Sequence, residues 1–121
     1  MRRIVATVAV LAATLAVSTS CGNDEKSPGS GSSETETIEV TVSGDTVTPN
    51  GDRIEVSVGQ PIELKVTADA PGEIHVHSSP EQEFEYEKGT TTLTLDPIDK
   101  PSVVDVESHT LDKTIVQLEA R

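Results

Sequence analysis

Residues 53–66 read RIEVSVGQPIELKV, and this stretch decides the fold because apolar residues occupy every second position on both sides of a turn. Successive side chains of a β-strand point to opposite faces of the sheet, so a period of two predicts strands that are buried on one face only. Gly59-Gln60-Pro61 is typical of the turn between them. The stretch therefore predicts two consecutive strands packed on an apolar core.

The same alternation recurs over most of the chain beyond residue 37. Six further runs show it, at residues 37–43, 73–77, 83–87, 92–95, 104–107 and 116–119. Pro71-Gly72, Lys88-Gly89 and Asp96-Pro97 are turn signals between runs, and no helix-length apolar stripe occurs in this part of the sequence. About eight short strands with frequent turns predict an all-β sandwich or barrel.

The N-terminus has a different character. Ile4 to Val17 is an apolar stretch that follows Met1-Arg2-Arg3 and ends shortly before Cys21, the only cysteine of the chain. A membrane-spanning helix needs roughly 20 apolar residues, so this stretch is too short to span a bilayer. A basic start, an apolar middle and a small-residue exit are typical of a secretory signal peptide.

The position of the cysteine resembles the signal of a bacterial lipoprotein, in which the cysteine is acylated and becomes the first residue of the mature chain. Thr19 and Ser20 fit that signal, whereas Ser18 stands where the usual box has leucine. The resemblance implies a fatty-acid anchor (palmitate or a similar chain) at Cys21, on the extracytoplasmic face of the cell membrane. The alternative is ordinary cleavage after Ala16-Val17-Ser18, which would leave Cys21 as an unpaired thiol.

Composition divides the chain into three parts: a signal peptide at 1–20, a lipidated N-terminus and flexible linker at 21–37, and one folded domain at 38–121. The linker is polar and rich in Gly and Ser, so it cannot bury a core. Without Arg2 and Arg3, the remaining 7 basic and 21 acidic residues give a net charge of −14. Such a surface repels phosphates, and we therefore expect no nucleic acid among the partners.

The order of motifs in the folded domain resembles a cupredoxin. The run from Val56 to Leu64 is similar to the strand, V-G-x-P/T turn and strand of that family, and Glu73-Ile74-His75-Val76-His77 follows it as a strand with histidines. His109 precedes the final predicted strand. The resemblance implies a cupredoxin-like Greek-key β-sandwich of about eight strands, preceded here by a signal helix and a flexible tether.

The resemblance also implies where copper ligands would lie. His75 or His77 matches the first histidine of a blue-copper site, and His109 matches the second. Val106 stands at the cysteine position and Thr114 at the methionine position, so both sulfur ligands are missing. A blue site depends on a thiolate, and the sequence therefore excludes type 1 electron transfer if Cys21 carries the lipid.

A different metal site remains open, and all three histidines are candidates for it: His75, His77 and His109. Residues i and i+2 of a strand share a face about 6.5 Å apart, and imidazole suits Cu(II) and Zn(II). Glu73 lies on the same predicted face and could supply an oxygen or orient a ring. The alternative is that these histidines, which follow the polar parity of their strands, simply face water.

The carboxylates of Glu83, Glu85 and Glu87 line one face of another predicted strand. They predict a solvated edge strand protected by charge, with capture of a divalent cation as the alternative. No catalytic motif accompanies them, and we expect no enzyme. Our hypothesis is a cell-envelope lipoprotein that binds copper through histidines. The alternative is a metal-free module, displayed on the outer face of the membrane, that binds an unidentified envelope protein.

Overall fold

The structure is a computed structural model that describes residues 34–121, and within them it has nine β-strands. The predicted signal peptide at 1–20, the acylated Cys21 and most of the tether lie outside the described residues. The described part of the chain has no helix long and apolar enough to cross a membrane. In chain order the strands are β1 (Glu36–Ser43), β2 (Thr46–Thr48), β3 (Asp52–Val56), β4 (Ile62–Ala68), β5 (Gly72–Val76), β6 (Gln82–Tyr86), β7 (Gly89–Leu95), β8 (Ser102–Ser108) and β9 (Lys113–Ala120).

The strands form a four-stranded sheet with the order β2-β1-β4-β7 and a five-stranded sheet with the order β3-β9-β8-β5-β6. The pairs β1–β4 and β3–β9 are parallel, and the other neighbours are antiparallel. Each parallel pair joins strands that are not consecutive, because the chain crosses between the sheets several times. The predicted all-β sandwich is confirmed.

The core lies between the two sheets and consists of the apolar half of each alternating run. Along β1 and β4, buried and non-buried residues alternate. The largest side chains with 0% exposure are aliphatic: Ile62, Leu64, Ile74, Ile115 and Leu118. Among the aromatic residues, Tyr86 is buried and Phe84 packs at the margin of the core. Burial of these faces is the main stabilising contribution to the sandwich.

Two features differ from the sequence prediction. The ninth strand, β2, was not predicted, because it has three residues and only Val47 is buried. So short a segment shows no period, and its pairing with β1 places it at the edge of the sheet. In addition, β1 begins at Glu36, two residues before the predicted start of the folded domain.

The turn between β3 and β4 fastens the start of the described chain to the sandwich. Gly59 has a φ of +79°, a conformation that favours glycine. The backbone N–H of Ser57 donates to Oε1 of the buried Gln60 (2.8 Å), whose Nε2 donates to the carbonyl of Glu34 (3.0 Å). The V-G-Q-P motif thus closes this turn and also ties down the segment before β1.

Candidate metal centre

Strand β5 and the residue that follows it place two histidines on the outer face of the five-stranded sheet. Ile74 and Val76 point into the core with 0% and 1% exposure. The intervening His75 and the following His77 point outward, as the alternation predicts, with side-chain exposures of 19% and 39%. His75 is the more enclosed ring because β5 lies between β6 and β8.

His109 reaches the same face from the turn after β8. Its backbone N–H donates to the carbonyl of Glu73 at 3.0 Å. The N–H of Glu73 donates in turn to the hydroxyl of Thr110 at 3.0 Å. These two hydrogen bonds fasten the β8–β9 turn to the beginning of β5. The turn is completed by Asp112, which has a φ of +53°.

The three imidazole rings come together around His75. Its ring centroid lies 5.3 Å from that of His77, at an interplanar angle of 83°. The centroid of the His109 ring lies 5.6 Å away on a tilted plane. Two imidazoles on one tetrahedral ion, with bonds near 2.0–2.1 Å, have ring centroids roughly 5 Å apart. Both centroid separations match those of rings that share an ion, but among the described residues the nitrogen atoms of the three histidines do not all lie within 4.8 Å of one another, so the rings would have to turn toward a common ion.

Carboxylates on the neighbouring strands complete this face. In the strand register, His75 is paired with Glu83 of β6 and with Glu107 of β8. His75 Nε2 lies 2.6 Å from Glu83 Oε1, a short charge-assisted hydrogen bond. His77 Nε2 lies 3.0 Å from Glu107 Oε2, and its Nδ1 lies 3.5 Å from Glu81 Oε1. His75 thus has a carboxylate partner on β6. His77 has one on β8 and another in the loop between β5 and β6.

The partners of His77 raise its pKa above the ordinary value of 6.5. The hydrogen bond that the ring donates to Glu107 has the largest effect, desolvation opposes it, and the charge of Glu107 and the hydrogen bond and charge of Glu81 add to the increase. When the ring is neutral and Nε2 carries the proton toward Glu107, the lone pair lies on Nδ1. Glu107 therefore orients this ring, and an ion at Nδ1 would have to displace Glu81, whose Oε1 lies 3.5 Å from that nitrogen.

One group of side chains has the spacing of a metal site. The donor atoms of Glu73, His75 and Glu83 all lie within 4.8 Å of one another. Ligands on opposite sides of an ion with bonds of about 2.1 Å are about 4.2 Å apart. His75 Nε2 and Glu83 Oε1, at 2.6 Å, would have to separate to admit an ion, and the Glu83 side chain is 66% exposed and has room to move outward. The donors are imidazole nitrogen and carboxylate oxygen, a set that suits Cu(II) and Zn(II).

The two positions that correspond to the sulfur ligands of a blue-copper site hold residues without sulfur. Val106 lies in the middle of β8 with 0% exposure and pairs with Val76 and Val116 in the core. Thr114 lies on β9 and its hydroxyl donates to Glu107 at 3.5 Å. Neither residue supplies sulfur. The histidine face is consequently the only candidate metal centre that we derive from the described residues.

The sequence predicted the three histidines and Glu73 as candidates and cation capture by Glu83 as an alternative, but it did not place Glu83 beside His75 or Glu107 beside His77. Glu83 was assigned to an edge strand, which is confirmed because β6 is the last strand of its sheet. Its contact with His75 depends on the β5–β6 register, and the contact of Glu107 with His77 depends on β5 pairing with β8. No local sequence pattern predicts either strand register.

Comparisons with known proteins agree with this architecture. No protein-family model matches the sequence, and no curated protein matches it either. A multicopper oxidase from Pediococcus acidilactici is similar in structure, with a TM-score of 0.53 and 15% identity over 78% of this chain. The chain spans only 28% of the length of that oxidase.

Amicyanin is similar over most of its own length. A single-residue variant of amicyanin with Cu(I) has a TM-score of 0.51 and 11% identity, covering 70% of this chain and 82% of amicyanin. A second, oxidised variant has the same TM-score with 12% identity over the same shares. Identities this low establish the fold alone. Residues 34–121 of this protein therefore form a cupredoxin-like β-sandwich.

Proposed function

We propose that this protein is a non-enzymatic lipoprotein of the bacterial cell envelope whose cupredoxin-like domain binds a divalent transition-metal ion, copper foremost, through His75, His77 and His109. The observation that carries the proposal is the convergence of the three rings, with centroids 5.3 and 5.6 Å from that of His75. Glu73 and Glu83 supply oxygen donors beside the central ring.

Metal binding at this face replaces protons. Each ligand nitrogen must be deprotonated, so the ion displaces the proton that His75 Nε2 shares with Glu83 or occupies the other ring nitrogen. The overall charge of −14 after loss of residues 1–20 attracts cations to the domain. Storage, delivery or buffering of the ion at the membrane surface fits a site that has no sulfur ligand.

The test is a titration of Cu(II) and Zn(II) into the full chain carrying Cys21→Ser, so that no thiol competes for the metal. We expect one ion per chain, and loss of binding in the variant His75→Ala/His77→Ala/His109→Ala. The matched control is Lys65→Ala/Thr67→Ala/Thr92→Ala, three outward-facing positions of the four-stranded sheet. Binding that survives in the histidine variant would refute the proposal.

One observation favours a second candidate, a metal-free module that binds an envelope protein. His75 and His77 already have carboxylate partners at 2.6 and 3.0 Å, and such hydrogen bonds satisfy the imidazoles without an ion. The same titration separates the two candidates, because the metal-free module would bind neither Cu(II) nor Zn(II) above the level of the histidine variant.

The membrane anchor is tested separately. Cells grown with a labelled fatty acid should label the wild-type chain and should not label Cys21→Ala, because Cys21 is the only thiol available for acylation. One acyl chain gives marginal membrane binding, whereas two or three anchor a protein stably. Label in the Cys21→Ala chain, or a mature N-terminus other than Cys21, would contradict lipid anchoring at this residue.

A further inference from the structure

We propose that the histidine face distinguishes the two oxidation states of copper: it binds Cu(II), together with Zn(II), far more tightly than Cu(I), and Glu83 is the ligand that sets this preference. The inference rests on the proposed function, because it assigns a selectivity to that same site. It follows from the kinds of donor atom that surround His75 and from the strand that supplies each of them.

Residues 34–121 contain no sulfur ligand. The chain has one cysteine, Cys21, and one methionine, Met1, and both precede the described residues. Thiolate and thioether ligands select Cu(I), whereas imidazole and carboxylate serve Cu(II) and Zn(II). A site built from residues 34–121 can therefore offer nitrogen and oxygen only.

Glu83 lies directly beside the ring of His75. Its Oε1 lies 2.6 Å from His75 Nε2, and together with Glu73 and His75 it forms the compact donor group of this face. An ion that binds His75 lies beside this anionic oxygen. The attraction between a carboxylate and an ion is proportional to the charge of the ion, so it is twice as strong for Cu(II) as for Cu(I) at the same distance.

Glu107 has a different part in the same site. It lies on β8, pairs with His75 in the strand register and contacts His77 Nε2 at 3.0 Å. Glu107 holds one nitrogen of His77 and, unlike Glu83, lies outside the compact donor group around His75, so it is a positioning residue and not a ligand. Its removal should weaken binding of both oxidation states, whereas removal of Glu83 should weaken Cu(II) alone.

The experiment measures three affinities on the full chain carrying Cys21→Ser. Cu(II) and Zn(II) are titrated against chelators of known affinity, and Cu(I) is titrated without oxygen against bicinchoninate. We expect Cu(II) to bind at least about 100-fold more tightly than Cu(I), given the contrast between hard and soft donors. A preference of that size lowers the reduction potential of bound copper by about 120 mV relative to the free ion, at about 59 mV for each factor of ten.

Two isosteric variants complete the experiment. Glu83→Gln should weaken Cu(II) binding by about 10- to 100-fold and change Cu(I) binding by less than about threefold. Glu85→Gln, on the same exposed edge strand and with the same loss of charge, should leave the ratio of the two affinities unchanged. Circular dichroism checks that both variants keep the β-sheet signal of the parent chain.

The outcomes separate this inference from the function on which it rests. Cu(I) binding as tight as Cu(II), or equal losses of both ions in Glu83→Gln, would overturn the selectivity and leave a metal-binding function standing. Failure of all three ions to bind would overturn both. A large Cu(II) preference that falls in Glu83→Gln but not in Glu85→Gln would support the assignment of Glu83.

Discussion

The outer faces of the two sheets follow the same alternating pattern but differ in chemistry. The four-stranded sheet presents threonines and a few charges, with Thr67 and Thr90 hydroxyls 3.3 Å apart across β4 and β7. The five-stranded sheet presents His75, His77 and their carboxylate partners. Polar residues at these positions are not needed for the core, so their identity is open to other uses. The metal site that we propose lies on the outer face of the five-stranded sheet, and we propose none on that of the four-stranded sheet.

The largest effect on the free energy of unfolding should come from substitutions on the inner faces of the two sheets, which form the core. Ile74→Ala removes a side chain with 0% exposure and should lower the free energy of unfolding by about 2–5 kcal/mol. The adjacent His75→Ala breaks the hydrogen bond with Glu83 and should cost about 0.5–1.5 kcal/mol. Urea denaturation of both variants without metal measures the two losses. Similar losses would mean that the histidine face also supports the fold.

The next effect distinguishes the two outer faces directly. Metal that binds only the folded state adds about 2.7 kcal/mol to the free energy of unfolding at 100 times the dissociation constant. We expect Zn(II) to stabilise the wild-type chain by this amount in thermal denaturation. Thr90→Ala, on the four-stranded sheet, should respond like the wild type, and the triple histidine variant should not respond. An equal shift in all three proteins would indicate binding elsewhere.

A smaller effect concerns pH in the metal-free protein. The pKa of His77 is raised, chiefly by its hydrogen bond with Glu107, so the charged ring is favoured in the folded state. The stabilisation is complete below the unfolded value of 6.5 and is lost as pH rises through the raised folded pKa. Because His77 is 39% exposed, solvent screening keeps this contribution small.

Glu107→Gln tests the pH effect. The pKa of His77, followed by NMR with a chelator present, should lie above 6.5 in the wild type and should fall in the variant. The difference in unfolding free energy between the two proteins should shrink as pH rises beyond that range. A wild-type pKa at or below 6.5 would contradict the role assigned to Glu107.

The smallest effect should be on the other outer face. Lys65 and Glu39 form an exposed ion pair with an N–O distance of 3.7 Å on the four-stranded sheet. Lys65→Ala should change the free energy of unfolding by no more than about 0.5 kcal/mol, because exposed pairs contribute little. It should also leave Cu(II) affinity unaltered. A clear loss of metal binding in this variant would break the distinction between the two faces.

Much of the fold was predictable because burial on one face imposes a period of two on each strand. Eight of the nine strands were visible in this way, including β5 with its outward His75. The strand β2 was not, since a single buried residue, Val47, makes no period. The parallel pairs β1–β4 and β3–β9 were not predicted either, because alternation records which face a residue occupies and not which strand lies beside it.

The face on which each residue of the candidate site lies was predictable in the same way, but its neighbours on other strands were not. The two-residue spacing of His75 and His77 predicts a shared face, and His77 keeps it one residue beyond the end of β5 because its N–H donates to the carbonyl of Asp105 on β8. The approach of His109 depends on the hydrogen bonds that fasten the β8–β9 turn to Glu73. The contact of Glu83 with His75 depends on the β5–β6 register. Such contacts are set by pairing between strands, which leaves no local trace in composition.

The sequence by itself determined that the domain is an all-β sandwich, that its core is aliphatic and that sulfur ligands are absent from it. Each of these is a property of residue types and their spacing, and burial on one face of each strand is enough to impose them. Only the tertiary structure decided that His77, His109, Glu73 and Glu83 lie close to His75. That arrangement depends on strand order and register, which arise from the packing of the whole chain and from no single segment of it.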